Sequence, residues 1–414
     1  MLVRFRKLQG IAVLVATLFL LFGLSDIAGA EPRETLKAAF VRDGDLWIRS
    51  GGTERRLTEG KQVSRPQWSF DGEWIAYQEG EETPNLKLWH VTSGNSLAVL
   101  AEGIADFQWS PDRNELAYTA DRKLSTVRPD RQGGPRTVAE GIGSFSWLPE
   151  GNGFIASSAV SLLPDGWERV RILKIPLAGE AETLYTLPQA SDDFFAVGTS
   201  GFKYSPSGKW IAFLATPTAS LSADGNNYLC LLSSDGTSFH AVDQMLNRSE
   251  WFQWANREDT LAYIAGVGRE VSRNKVLKTV RIPASGKPAS YTPKGFVDQG
   301  FAWAGADRII ASRAKEYEGE GGIESWPLPK LVEIRLQGNR ASSVTEPPQG
   351  YGDFAPQFFP REQRLVWVRS NRNQADALIS GRGGKHPSVW IKNIGSGRQY
   401  YGYGNWGEVL AVYG

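Results

Sequence analysis

Along the chain, short runs of alternating apolar and polar residues recur, each five or six residues long and each closed by Gly, Pro, Asp or Ser. Period-two alternation with frequent turn residues predicts half-buried β-strands rather than helices. One run is the clearest: "WSFDGEWIAY", residues 68–77, an aromatic residue, a Ser-Phe-Asp-Gly turn and a second apolar strand. In register with it stand "WSPDRNELAY" from Trp109, "WLPEGNGFIA" from Trp147, "YSPSGKWIAF" from Tyr204 and "WANREDTLAY" from Trp254. Weaker copies are "WAGADRIIA" from Trp303 and "FFPREQRLVW" from Phe358. The leading aromatics are spaced 38 to 57 residues apart, a period that indicates a repeat array of small sheets.

Each copy has the same sequel. A third strand is expected in "DLWIRSGG" (45–52), "LKLWHVTSG" (86–94) and "SVWIKNIGSG" (388–397), and a fourth in "RRLTEG", "RTVAEG" and "ETLYTLP". Four short antiparallel strands make one propeller blade, so the fold class is an all-β propeller. Asp71-Gly72 reads as the hairpin turn between first and second strands. The leading aromatic and the alanine of the second strand are expected to pack as a large-small pair between blades. The chain opens at 36–60 as a blade lacking its first strand and ends in "NWGEVLAVYG", a lone first strand with Tyr413 in the leading aromatic position. The last strand is therefore expected to complete the first blade and close the ring, leaving no open edge. Counting gives eight blades, or seven if the two weakest copies do not form blades.

The motif Trp-Ser-Pro-Asp followed by Leu-Trp and Leu-Thr-x-Gly resembles the propeller repeats of TolB and of prolyl-oligopeptidase-type proteins, over residues 36–414. The resemblance implies a TolB-like propeller. The separate α/β domain of TolB has no counterpart here, and neither does the Gly-x-Ser-x-Gly elbow of the oligopeptidases.

Composition changes the picture in three places. Lys+Arg is 46 against 45 for Asp+Glu, which gives no electrostatic footprint for nucleic acid. The basic "MLVRFRK", the apolar "IAVLVATLFLLFGL" and "AGA" at 28–30 read as a secretory signal peptide over 1–30. Residues 31–414 then form a single domain, secreted or extracytoplasmic, without membrane insertion after cleavage and monomeric. The single cysteine, Cys230, leaves no disulfide, and its alternating surroundings mark it as a buried thiol.

Candidate chemistry is sparse. His90, His240 and His386 are scattered, with no nucleophile-base spacing and no metal-ligand spacing, so no metal, no cofactor and no enzymatic activity is expected. The turn Asp71 is exchanged for Ser207 and Glu150 in other copies, which argues against a shared catalytic acid. Function is expected in long loops joining second to third strands: 161–169, 216–227, 266–275, 314–330 and 371–385. Collected on one face, they would bind a protein, peptide or cell-wall component, through Trp167, Arg269, Arg273, Tyr317, Trp326, Arg372 and Arg382. The expectation is an exported noncatalytic binding scaffold; the alternative is a hydrolase or lyase acting on cell-surface polysaccharide or peptide, with carboxylates from several loops converging on the channel.

Overall fold

A computed structural model of the protein describes residues 36–414 apart from 100–102, 132, 284–286 and 398. The signal-peptide assignment at 1–30 lies outside the described residues. Eight antiparallel blades follow one another around a ring. Their innermost strands are Leu410–Tyr413, Val63–Trp68, Ile104–Trp109, Ile142–Trp147, a broken pair at Gly198–Thr199 and Lys203–Tyr204, Phe252–Trp254, Phe296–Trp303 and Gly352–Phe359. Both weak copies, at Trp303 and Phe358, form complete four-stranded blades.

Blade 1 is composite. Lys37–Arg42 pairs on one side with Asp45–Ser50 and on the other with the C-terminal Leu410–Tyr413, Phe40 facing Leu410 and Ala38 facing Val412. The register shifts the expected aromatic by one residue: Val412 stands opposite Ala38 as Trp68 stands opposite Ile75. Tyr413 lies one step beyond. Its ring packs against Trp68 at 5.8 Å, and its hydroxyl donates to the Phe70 carbonyl. Gly72, left-handed at φ 69°, lies where any side chain would collide with the Tyr413 ring.

Buried apolar side chains gather between neighbouring blades rather than at one centre. Each leading tryptophan points back to the preceding blade and also donates its indole N–H there. The acceptor is the carbonyl of the residue just before that blade's leading position: Trp68 to Ala411 at 3.0 Å, Trp109 to Gln67 at 3.1 Å and Trp147 to Gln108 at 3.1 Å. Trp254 donates to Lys203 at 2.9 Å and Trp303 to Gln253 at 3.1 Å. The residue before the aromatic reaches the other way. Gln108, Lys203 and Gln253 donate to the carbonyls of Phe145, Phe252 and Phe301 in the following blade, at 3.1, 2.8 and 3.0 Å. Within their own blades Ala76, Ala117, Ala212 and Ala262 stand opposite Gln67, Gln108, Lys203 and Gln253. Between blades they share apolar clusters with the next leading aromatic, Ala76 with Trp109, Ala117 with Trp147, Ala212 with Trp254 and Ala262 with Trp303, the large-small arrangement expected.

The turn after the aromatic is more than a reversal. Asp71 accepts from the Ser69 hydroxyl and the Glu73 N–H within the turn, and from Asn114 of the next blade. Burial of Asp71 opposes ionisation, and these three donors outweigh it, holding the carboxyl below the usual range.

One assignment is corrected by the last blade. Ala375–Gly381 is its third strand, and Ser388–Ile394, expected as the third, is the outermost. "ADALISG" alternates as a strand should, and its glycine-rich successor is the turn to the fourth strand.

Candidate functional site

In a ring of four-stranded blades, loops joining second to third strands share a face with connections between blades. That face carries the long segments of blades 4 to 7: 161–169, 216–227, 266–275 and 314–330. In blade 8 the loop shrinks to 371–374, so Arg382 falls in the turn between third and fourth strands, on the opposite face. There it donates to the Ala304 carbonyl and lies over the Phe358 ring.

Five of the expected rim residues meet in one layer. Arg269 donates to Asp224 at 2.5 Å and to the Tyr401 hydroxyl at 2.9 Å, joining the blade 5 and 6 loops to the final connection of the ring. Those two partners, Tyr401 first and then Asp224, raise its pKa further. Arg273 donates to the Gly319 carbonyl, pairs with Glu270 and lies 5.5 Å over the Tyr317 ring. Tyr317 packs on the buried Trp326, whose carbonyl accepts from Arg372 at 2.7 Å. Gly402 is in contact with the Trp326 ring, too close for any side chain. Trp167 stands apart, exposed on a small hairpin with Leu162 and Leu163.

Two devices fix this layer from below. Lys275, fully buried, donates to the carbonyls of Val267, Gly268 and Arg273 and so folds its own loop around its ammonium group. Its burial pushes the pKa down to about 8. At the start of the innermost strands of blades 7 and 8, Asp298 and Asp353 form bidentate pairs with Arg313 and Arg369 of the adjacent strand. The backbone N–H groups of the same two aspartates bind the Lys275 and Pro329 carbonyls, anchoring the ends of the long loops.

At this end of the channel a cavity of about 440 Å³ opens between blades 2, 6, 7 and 8 and the final connection. Its wall is made where innermost strands bulge, at Ser64/Gln67, Asp298/Phe301 and Phe354/Gln357. In two of these bulges a left-handed residue precedes proline: Arg65 at φ 55° before Pro66, and Ala355 at φ 46° before Pro356. Such a conformation costs on the order of 1–3 kcal/mol, and bulges re-aim side chains. Here they turn Arg65, Gln67 and Gln357 toward the cavity. Arg65 is held by Asp106 at 2.6 Å and lies over the Phe107 ring.

Of the remaining lining, Glu250 lies in the turn before the innermost strand of blade 6, Gln253 on that strand, and Asn405, Trp406 and Glu408 on the final connection. Asn405 donates to Glu408 at 3.0 Å. Lys203, beside this wall, donates to the Ser249 carbonyl at 2.5 Å and lies 4.4 Å over the Phe252 ring. Its pKa falls to about 8 because burial outweighs the opposing pull of Glu250. None of these cavity residues carries a spacing that announces it; the only sequence trace is the repeated Arg-Pro-Gln and Ala-Pro-Gln ahead of the aromatic.

Cys230 is fully buried, its thiol pushed up by burial, and it donates to the Tyr228 carbonyl. His90 and His240 pack against Trp74 and Trp210.

No protein-family model matches the chain, and no curated protein matches it in sequence. Solved structures match it in fold. A puromycin hydrolase aligns at 15% identity over 82% of this chain and 55% of its own, with a TM-score of 0.51. A puromycin-hydrolyzing peptidase of Mycobacterium tuberculosis aligns at 14% identity over 81% and 54%, again at 0.51. The dihydro-heme d1 dehydrogenase NirN, in complex with DHE, aligns at 11% identity over 88% and 75%, at 0.56. The chain thus spans about half the length of the two puromycin-hydrolysing proteins. These likenesses show the propeller fold. They also correct the expectation that the chain is not an enzyme. Propellers matching this ring occur in a hydrolase, a peptidase and a dehydrogenase, and a ring that assembles its lining from several blades needs no motif local in sequence.

Proposed function

We propose that the protein is an exported, TolB-like propeller that takes a peptide, protein segment or cell-envelope component into the loop-bearing mouth of its channel. One observation carries this reading: a polar cavity lies at the end of the ring where the long loops interlock, and strained bulges form its wall. Strain at a left-handed residue is retained where the surroundings enforce it, and such positions cluster at ligand sites. Concave sites with a few convergent polar groups are the usual form of a ligand pocket. The loop layer contributes by holding shape, since Arg269, Arg273, Tyr317, Trp326 and Arg372 engage one another. Capture from envelope extracts by the native protein, by Gln67→Leu/Gln357→Leu and by Trp167→Ala tests the reading. Loss of the captured component in the cavity variant alone supports it; loss in Trp167→Ala alone overturns it.

A second reading has its own support. Glu250, before blade 6, and Glu408, on the final connection, bring two carboxylates to the same cavity. A hydrolase or lyase acting on cell-surface polysaccharide or peptide needs such a pair for acid-base work. Product release from envelope polysaccharide or peptide, abolished by Glu250→Gln with binding retained, is its expected signature.

A further inference from the structure

On the face of the ring away from the long loops, blade 7 ends in a row of arginines. Arg308 stands opposite Arg335, and Arg335 opposite Arg340, across three neighbouring strands. Directly opposed residues of antiparallel strands send their side chains to the same side of the sheet. That side faces blade 8, because Ile310, two residues along from Arg308, shares an apolar cluster with Leu365 and Trp367. Like charges directly opposite one another destabilise a sheet unless counter-charge reaches them. Here the counter-charge is thin. One carboxylate oxygen of Glu333 lies 3.7 Å from Arg308 and 3.8 Å from Arg335, and Asp307 lies 3.7 Å from Arg308. All three contacts are longer than a hydrogen bond. Arg340, exposed at the outer end of the row, forms no ion pair among the described residues.

The turn between the third and fourth strands of blade 8 leans over the same place. Gly384 sits against Val344, just past the outermost strand Arg340–Ser343, too close for any side chain. Arg382 of that turn donates to the Ala304 carbonyl at 3.1 Å, and the Ala304 N–H binds the Arg308 carbonyl. Lys385, exposed on the turn, also has no acidic partner among the described residues. The junction of blades 7 and 8 thus gathers Arg308, Arg335, Arg340, Arg382 and Lys385 against Glu333 and Asp307.

This arrangement selects a ligand by shape as well as sign. A single anion would satisfy one guanidinium and leave its neighbours opposed. Strands lie about 4.8 Å apart, so the three arginines of the row span roughly 10 Å. A chain with an anion in each repeat neutralises them in succession, and guanidinium forks take carboxylate or phosphate oxygens two at a time. A bilayer meets a protein as a plane, whereas Arg308 at the inner end of the row is 32% exposed against 56% for Arg335. A narrow chain reaches both.

We infer that the junction of blades 7 and 8 binds a linear polyanion, a chain carrying a phosphate or a carboxylate in each repeat, along Arg308, Arg335 and Arg340. This second site lies on the face opposite the channel mouth and does not rest on it.

Titration with fluorescently labelled polyphosphate, a polyuronate and neutral dextran, and sedimentation with phosphatidylglycerol vesicles, test it. The proteins compared are the native chain, Arg335→Gln/Arg340→Gln, Gln67→Leu/Gln357→Leu and Arg257→Gln, the last an exposed arginine of a blade 6 turn outside the row. At least one of the two polyanions is expected to bind, weakened about tenfold or more by the row variant and unchanged by the other two. Dextran is expected not to bind. Polyphosphate alone, polyuronate alone or both would identify the anion and support the site equally. The row variant relieves opposed charges, so its thermal midpoint is expected not to fall; Arg340→Gln alone carries the test if the double variant does not fold. Binding to neither polymer, vesicle binding in place of polymer binding, or binding that the row variant leaves unchanged overturns the inference. An equal loss in Arg257→Gln, or a loss confined to the cavity variant, overturns it as well.

Discussion

In three blades the residue before the leading aromatic, Gln108, Lys203 or Gln253, ties the ring forward to the next blade. In "QW" and "KY" the aromatic is conspicuous, but the two residues work in opposite directions. Trp254 donates to Lys203 behind it, and Gln253 donates to Phe301 ahead of it. Each hydrogen bond contributes on the order of 1 kcal/mol net. Trp254→Phe keeps most of the packing and loses the donor, so a destabilisation of about 1 kcal/mol is expected in denaturant unfolding. An unchanged midpoint would show that the indole acts by area alone. The repeat was legible in the aromatics because tryptophan is rare and its register regular. The glutamine was not, because nothing in an alternating strand marks a polar residue as bound to the neighbouring blade.

At the scale of elements, loops and bulges are positioned by groups whose role appears only when the blades stand side by side. Lys275 ends a loop that reads as polar and solvated, yet it is buried under three carbonyls of that loop. Its pKa of about 8 lies below the ordinary 10.5. Between those values the unfolded chain holds more protons than the folded one, so the lysine's contribution to stability rises with pH. The unfolding free energy of the native protein is therefore expected to climb relative to that of Lys275→Met from pH 8 to 10.5. Parallel profiles would contradict the burial. The same scale explains the misplaced Arg382. The strand Ala375–Gly381 was hidden in a stretch of glycines, serines and charged residues that reads as loop. The bulges at Arg65 and Ala355 were equally unreadable, because a residue before proline favours extended backbone and gives no sign of a left-handed turn.

At the scale of the molecule, ring closure was the most legible feature, since an opening blade short of one strand and a closing strand without a blade imply one another. Leu410–Tyr413 supplies that strand, and Ala411 supplies the acceptor for Trp68. Removing residues 410–414 exposes the edge of Lys37–Arg42 to other chains. A lower thermal midpoint with association, seen by light scattering, is the expected outcome; an unaltered monomer would mean that the ring is held without its last strand. The cavity at the channel mouth was the least legible feature, because its lining comes from five separate segments that share no motif. The long loops of blades 4 to 7 lie on the face where the cavity opens. Their aromatic and cationic side chains bind one another, whereas the unengaged polar groups line the channel mouth beneath. The most direct measurement is an experimental structure of the protein with the component it captures from the envelope. The account predicts that component between Arg65, Gln357 and Trp406; a ligand seated only on the outer loops around Trp167, with the channel mouth empty, would contradict it.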